Sequence, residues 1–251
     1  INIQRFASSG IVSAFSGAPF RSGFTKNPLS FTFTLKQEHL IDGSAHEINR
    51  NMKLIEPLVN GPVQMPALYP GTADVDYVKQ WKDKPYITIS PASLYFTKQL
   101  PADKWIGLTG KILTLRVILL GSRADESLCE KIRETSPHSD IINLAGRLSF
   151  LQSASVMKDA VMNYVNDSAP MHIASSVDAN VAAVFCSTVP SFGFGPLSKR
   201  SYIIQTDVPL SCKPCGLHGY QKCPLGHFKC AETISLDQLL LPLNYERRDQ
   251  S

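Results

Sequence analysis

The 251-residue chain has no long apolar run. Spanning a bilayer as a helix takes roughly 20 consecutive apolar residues, and no segment approaches that, so no membrane-crossing helix is expected within it. The opening residues lack the basic, apolar and small-residue regions of a secretory signal. Strong charge of either sign is also missing: 25 basic against 21 acidic residues leave +4. Without basic clusters, nucleic acid is not expected as a partner, although a mild positive balance suits an acidic ligand or an anionic surface. Low-complexity segments and internal repeats are absent. What is present is a hydrophobic share of 43%, enough for a substantial core.

From Pro85 onward, strand and helix patterns alternate. Strands are expected at Tyr86–Ser90, Leu115–Leu120, Asp140–Ile142, Val161–Val165, Val181–Phe185 and Tyr202–Ile204. Helices are expected from Pro101, over Asp125–Glu134, Ser149–Asp159 and Met171–Val177, and over Leu236–Leu241. Strands separated by helices of this length imply a parallel sheet with right-handed crossovers, so residues 85–251 read as one doubly wound α/β domain. Residues 1–60 hold too few strands for a sheet of their own and read as the remnant of an earlier α/β domain. There Phe6–Phe15 is expected as a helix. Ser44-Ala-His-Glu47 has capping-box spacing, with Ile48, Met52, Ile55 and Val59 at helical intervals behind it, so residues 45–59 are expected to form an amphipathic helix. The Pro- and Gly-bearing stretch 61–84 is expected as a linker. The opening Ile1-Asn-Ile reads as the end of a strand, so the chain is expected to be a fragment of a longer protein.

Three loops follow strands on one sheet edge. Asn166-Asp167-Ser168 ends a strand just before Pro170, with Asp and Ser as helix N-caps and Pro suited to the first turn. A helix N-terminus offers unpaired N–H groups and partial positive charge to a phosphate, and His172 falls within its first turn. Ser93, Thr97 and Lys98 follow the strand at Tyr86–Ser90 and are candidates for phosphate binding. Asp125, after the next strand, is placed to accept from a ribose, or equally to favour the start of its helix. His46-Glu47-x-x-Arg50 is not a zinc helix, because the second histidine position holds arginine.

Six cysteines occur, and four crowd one loop as Cys212, Cys215, Cys223 and Cys230. They are candidate ligands of a structural metal, alone or with His218 or His227 in place of one thiolate, but reduced or locally paired thiols are the commoner outcome for such a loop.

The stretches Pro91-Ala-Ser-Leu-Tyr-Phe-Thr-Lys-Gln99, Asn143-Leu-Ala-Gly-Arg147, Asn166-Asp-Ser-Ala-Pro-Met-His-Ile-Ala174 and Pro196-Leu-Ser-Lys199 form a specific set. With the cysteine-rich tail and His46-Glu-x-x-Arg-Asn51, the chain resembles the lipopolysaccharide heptosyltransferases of glycosyltransferase family 9. The resemblance implies a GT-B fold of two Rossmann-like domains, the N-terminal one incomplete here. It implies an inverting, metal-independent transfer of heptose from ADP-heptose to a lipid A-core acceptor, without a cofactor. The enzyme would be cytoplasmic and peripheral at the inner membrane. Ser93 and Lys98 would meet the donor phosphates, Asp125 the adenosine ribose, Leu148 the adenine and Asp167 the heptose. Ser168, Ala169 and His172 would stand at the phosphate end. The general base would lie upstream of Ile1. Ala169 replaces a common glycine, and Phe185-Cys-Ser-Thr-Val-Pro190 replaces Phe-Gly-x-Thr-x-Pro. Another nucleotide sugar, or a non-catalytic nucleotide-binding module, are the alternatives.

Overall fold

The computed structural model describes residues 1–249 and divides them into two compact units. The larger comprises residues 66–189 and 196 onward, the smaller residues 1–65 and 190–195.

In the smaller unit, α1 (Ala7–Ala14) precedes β1 (Ser22–Phe24), β2 (Leu35–Gln37) and α2 (Glu47–Met52). The two strands pair in parallel, and Asn2 forms a single parallel bridge with Gly23, which places Ile1-Asn-Ile beside a strand. Helix α2 is shorter than expected. Its cap is His46, whose Nδ1 accepts from Ile48 N, while Ser44 instead donates to Asp42 through both N–H and hydroxyl. Pro57 has no N–H to continue an α-helix, and the chain from Glu56 to Leu58 is 3-10. Buried Arg50 donates to the carbonyls of Leu40, Ala45 and Phe192 and to Glu47, which also pairs with His39. Arg50 thus binds residues 190–195 to this unit from 142 residues away in sequence, where no local pattern announced them.

The larger unit begins with α3 (Thr72–Val78), inside the stretch expected as a linker. Val78 is fully buried, and Lys82 reaches the Ser155 carbonyl and Asp159, so this segment is part of the domain rather than a tether. There follow β3 (Tyr86–Ser90), α4 (Ala102–Thr109), β4 (Arg116–Leu119), α5 (Glu126–Thr135), β5 (Ile141–Asn143), α6 (Phe150–Lys158), β6 (Met162–Asn166), α7 (Ala169–Ser176), β7 (Val181–Val184), β8 (Ser201–Ile204), α8 (Lys229–Glu232) and α9 (Leu236–Asp249). All six strands are parallel, in the order β5-β4-β3-β6-β7-β8.

Strand residues alternate between faces. Ile87, Ile89, Met162, Tyr164, Ala182 and Val184 join Trp105, Leu108, Ile132 and Leu239 in one core. Tyr86, Ile118, Val165, Val181 and Ala183 join Val78, Val156, Met157, Met171 and Ala174 in the other. Helices cover both faces, which is why the strands read as continuous apolar runs. The strand order reverses direction between β3 and β6. In an open parallel sheet that point leaves a crevice beyond the strand ends.

Candidate active site

The crevice is bounded by the loops after β3 and β6. Asn166, the last residue of β6 and fully buried, fastens both ends of the β3 loop: its Nδ2 donates to the Pro91 carbonyl at 2.7 Å, and its Oδ1 accepts from Leu100 N–H at 3.0 Å. The stapled loop carries Ser93, Thr97 and Lys98. At its tip a 3-10 turn, Phe96–Lys98, presents the lysine.

Lys98 Nζ lies 2.7 Å from Asp167 Oδ2, and the Thr188 hydroxyl donates to the same oxygen at 2.6 Å. Asp167 is only 7% exposed. It does not cap helix α7: Ser168 occupies the N-cap position, and no side chain bonds the helix end there. The carboxylate is therefore held at Oδ2 by a cation and a hydroxyl. Helix α7 begins at Ala169, with Pro170 second. Pro170 lacks an N–H and Met171 N–H donates to the Ser168 carbonyl at 3.0 Å, so an anion would meet the donors at the leading edge of the turn. Ala169 and His172 are exposed there.

Thr97 departs from its expected role. It is buried, and its hydroxyl oxygen accepts from Tyr220 N–H at 2.8 Å and from the Ser187 hydroxyl at 3.1 Å. It fixes the loop instead of facing a phosphate. Ser93 is half-buried, and its carbonyl accepts from Gln99 Nε2. Asp125 closes the 3-10 turn after β4 with Oδ2 accepting from Ser122 N–H and hydroxyl, at 2.8 and 2.7 Å, so one carboxylate oxygen serves the turn. Leu148 is half-buried against the core beside α6. The loops bearing these two residues are joined by Gly146 N–H donating to the Gly121 carbonyl. They stand one and two strands out from β3 along the sheet edge. The structure thus brings Lys98 and Asp167 together directly and sets Asp125 and Leu148 further along it. Thr188 and Tyr220 were missed as site-building residues, and Asn166 was singled out only as part of the Asn166-Asp167-Ser168 helix start, not as the staple of the β3 loop. Thr188 left a trace in sequence as the surviving threonine of the altered Phe185–Pro190 segment.

A family model described as glycosyltransferase family 9 (heptosyltransferase) matches residues 1–221. The chain belongs to this family. Lipooligosaccharide heptosyltransferase 2 of Haemophilus influenzae is 28% identical over 49% of this chain and 44% of that protein. The chain spans less than half the length of the curated relatives it matches. The solved structure of Escherichia coli ADP-heptose LPS heptosyltransferase II superposes with a TM-score of 0.78 at 19% identity, over 99% of this chain and 76% of that one. E. coli heptosyltransferase WaaC, solved with ADP-2-deoxy-2-fluoro heptose, gives 0.64 at 15% identity, over 99% and 70%. The α/β fold with its parallel sheet is that of these family 9 structures.

The cysteine-rich loop adjoins the site and touches it through Tyr220. Cys212, Cys215, Cys223 and Cys230 are unbridged and line one cavity with His227, Phe228, Thr97 and Ser187. Among the described residues, no three of His, Cys, Asp or Glu are arranged to hold a metal ion. The thiols differ in character. Burial pushes Cys230 up to about 11, whereas Cys223 is lowered: burial works against its thiolate, but N–H groups of Phe228, Leu225, Gly226 and His227 outweigh it. No helix among the described residues is long and apolar enough to cross a membrane.

Proposed function

We propose that this family 9 chain contributes to an inverting, metal-independent transfer of heptose from ADP-heptose to the inner core of lipopolysaccharide. The observation that carries the reading is the Lys98–Asp167–Thr188 cluster at the β3/β6 crevice, beside the start of α7. In the transfer, an acceptor hydroxyl oxygen bonds to the anomeric carbon and yields its proton to a general base. The carbon–oxygen bond to ADP breaks, and ADP leaves with the electron pair. Negative charge grows on the diphosphate, where Lys98 and the helix N-terminus would stabilise it without a metal ion. Asp167 Oδ1 would accept from a heptose hydroxyl, while Ser93, Ser168, Ala169 and His172 would border the phosphates. Asp125 and Leu148 would meet the ribose and adenine.

On this reading the larger unit is the donor-binding domain of a two-domain GT-B enzyme, and the smaller belongs to the acceptor-binding one. A lipid-linked acceptor would bring the enzyme to the cytoplasmic face of the inner membrane as a peripheral protein. Titration with ADP-heptose, ADP-glucose and UDP-sugars tests the donor. ADP-heptose should bind most tightly, and preference for a uridine donor would overturn the assignment.

A further inference from the structure

The cysteine-rich loop grips the donor-side lysine through one small junction. Thr97 N–H donates to the Tyr220 carbonyl at 3.0 Å, and Tyr220 N–H donates back to the Thr97 hydroxyl at 2.8 Å. The Ser187 hydroxyl donates to the same oxygen, and the Ser187 carbonyl accepts from Cys215 N–H at 2.7 Å. Thr97 is 1% exposed. Gly219 makes the contact sterically possible. It has φ +75°, and a Cβ there would lie 2.9 Å from Thr97 Oγ1, 3.0 Å from Lys98 Cγ and 3.2 Å from Ser187 Oγ. A side chain at position 219 would strain its own backbone and press on the lysine stem.

Ser187 and Thr188 are consecutive, so two neighbouring hydroxyls hold the two ends of one pair. Ser187 steadies the turn that presents Lys98, and Thr188 steadies Asp167. A lysine has four rotatable carbons and is a poor point of reference unless its backbone is fixed. Here the fixing comes from another part of the chain.

We infer that Thr97 and Gly219 are positioning residues: through the Tyr220 junction they set Lys98 against the second phosphate of a bound nucleoside diphosphate. The inference rests on the donor-site reading above. Its distinguishing consequence is selective, because a displaced Lys98 weakens the hold on a diphosphate and leaves a monophosphate nearly untouched.

The experiment compares ADP and AMP affinities, by calorimetric titration, for the wild type, Lys98→Ala, Thr97→Val, Thr97→Ser and Gly219→Ala. Valine keeps the shape of threonine but leaves the Tyr220 N–H and Ser187 hydroxyl without their acceptor. Thr97→Val and Gly219→Ala should lose ADP affinity by about tenfold, the scale of one such lost interaction. AMP affinity should hold within about twofold on the same scale, and Thr97→Ser should restore ADP binding. Retained AMP binding also shows that the pocket is folded, and if Thr97→Val fails that check Gly219→Ala carries the same comparison. Folded variants that keep the wild-type ADP-to-AMP ratio would overturn the inference. A Lys98→Ala protein that binds ADP as tightly as wild type would overturn the donor-site reading and this inference with it.

Discussion

Replacing Asn166 by alanine should destabilise the larger unit far more than a change of one small side chain suggests. The amide is fully buried and makes two hydrogen bonds to main chain, one as donor to Pro91 and one as acceptor from Leu100. Alanine leaves a buried carbonyl and a buried N–H without partners, each at about 1–3 kcal/mol, so the sum is about 2–6 kcal/mol. For a chain of this size that is a fall in Tm on the order of 5–20 °C. A urea titration followed by tryptophan fluorescence should show the midpoint falling with the slope unchanged. Trp105, buried in the core of this unit, supplies part of the signal. Asn166→Asp should be comparably harmful at neutral pH, since a carboxylate would face the Pro91 carbonyl. It should recover partly on acidification, when the protonated acid can donate to Pro91. A loss below about 0.5 kcal/mol for Asn166→Ala would refute the argument, because surface changes lie in that range.

If the chain takes part in heptose transfer as proposed, Asp167→Ala should abolish most of that transfer while far-UV circular dichroism stays as in wild type; equal transfer by mutant and wild type would remove Asp167 from the site. Alkylation of the native protein near pH 7.5, mapped by peptide mass spectrometry, should modify Cys223 first. Cys186, fully buried and pushed up furthest by that burial, should react last. Glu47 is held below its ordinary value because hydrogen bonds from His39 and Arg50 outweigh the opposing effect of burial. Its contribution to the smaller unit is therefore fully present above the unfolded value of about 4.5 and is lost as pH falls through the lower folded value. Melting curves at several pH values should show that acid-side loss, and Glu47→Gln should flatten it.

The sheet was legible because parallel strands buried on both faces read as apolar runs between polar helix starts. Tyr86–Ser90 and Val181–Val184 were anticipated nearly to the residue. Asn166-Asp167-Ser168 was read as a candidate site from its place between strand and helix, but its internal division of labour was hidden. Asp167 has the chemistry of a cap, and its pairing with Lys98 and Thr188 appears only in three dimensions. Thr97 looked like a phosphate donor because the residues that occupy its hydroxyl lie 90 and 123 positions away. Ser44 to Glu47 had the spacing of a capping box, yet Asp42 and His39 competed for its two ends. Residues 61–84 looked like a tether because Pro and Gly mark their first half, while Val78 and Lys82 in the second half bind them to α6.

The Thr97–Tyr220 junction also orders the assembly of the molecule in time. During synthesis β3 and its loop emerge early, but Asn166 follows 66 residues after Leu100, and Tyr220 another 54 residues later. Contacts of such separation form after local ones, since the intervening chain must first be closed into a loop. The sheet can therefore gather while the lysine-bearing turn still lacks its last anchor. A ribosome-bound chain ending before Tyr220 should hold most of the parallel sheet yet discriminate poorly between nucleoside diphosphate and monophosphate, so that binding competence arrives as a late event in folding.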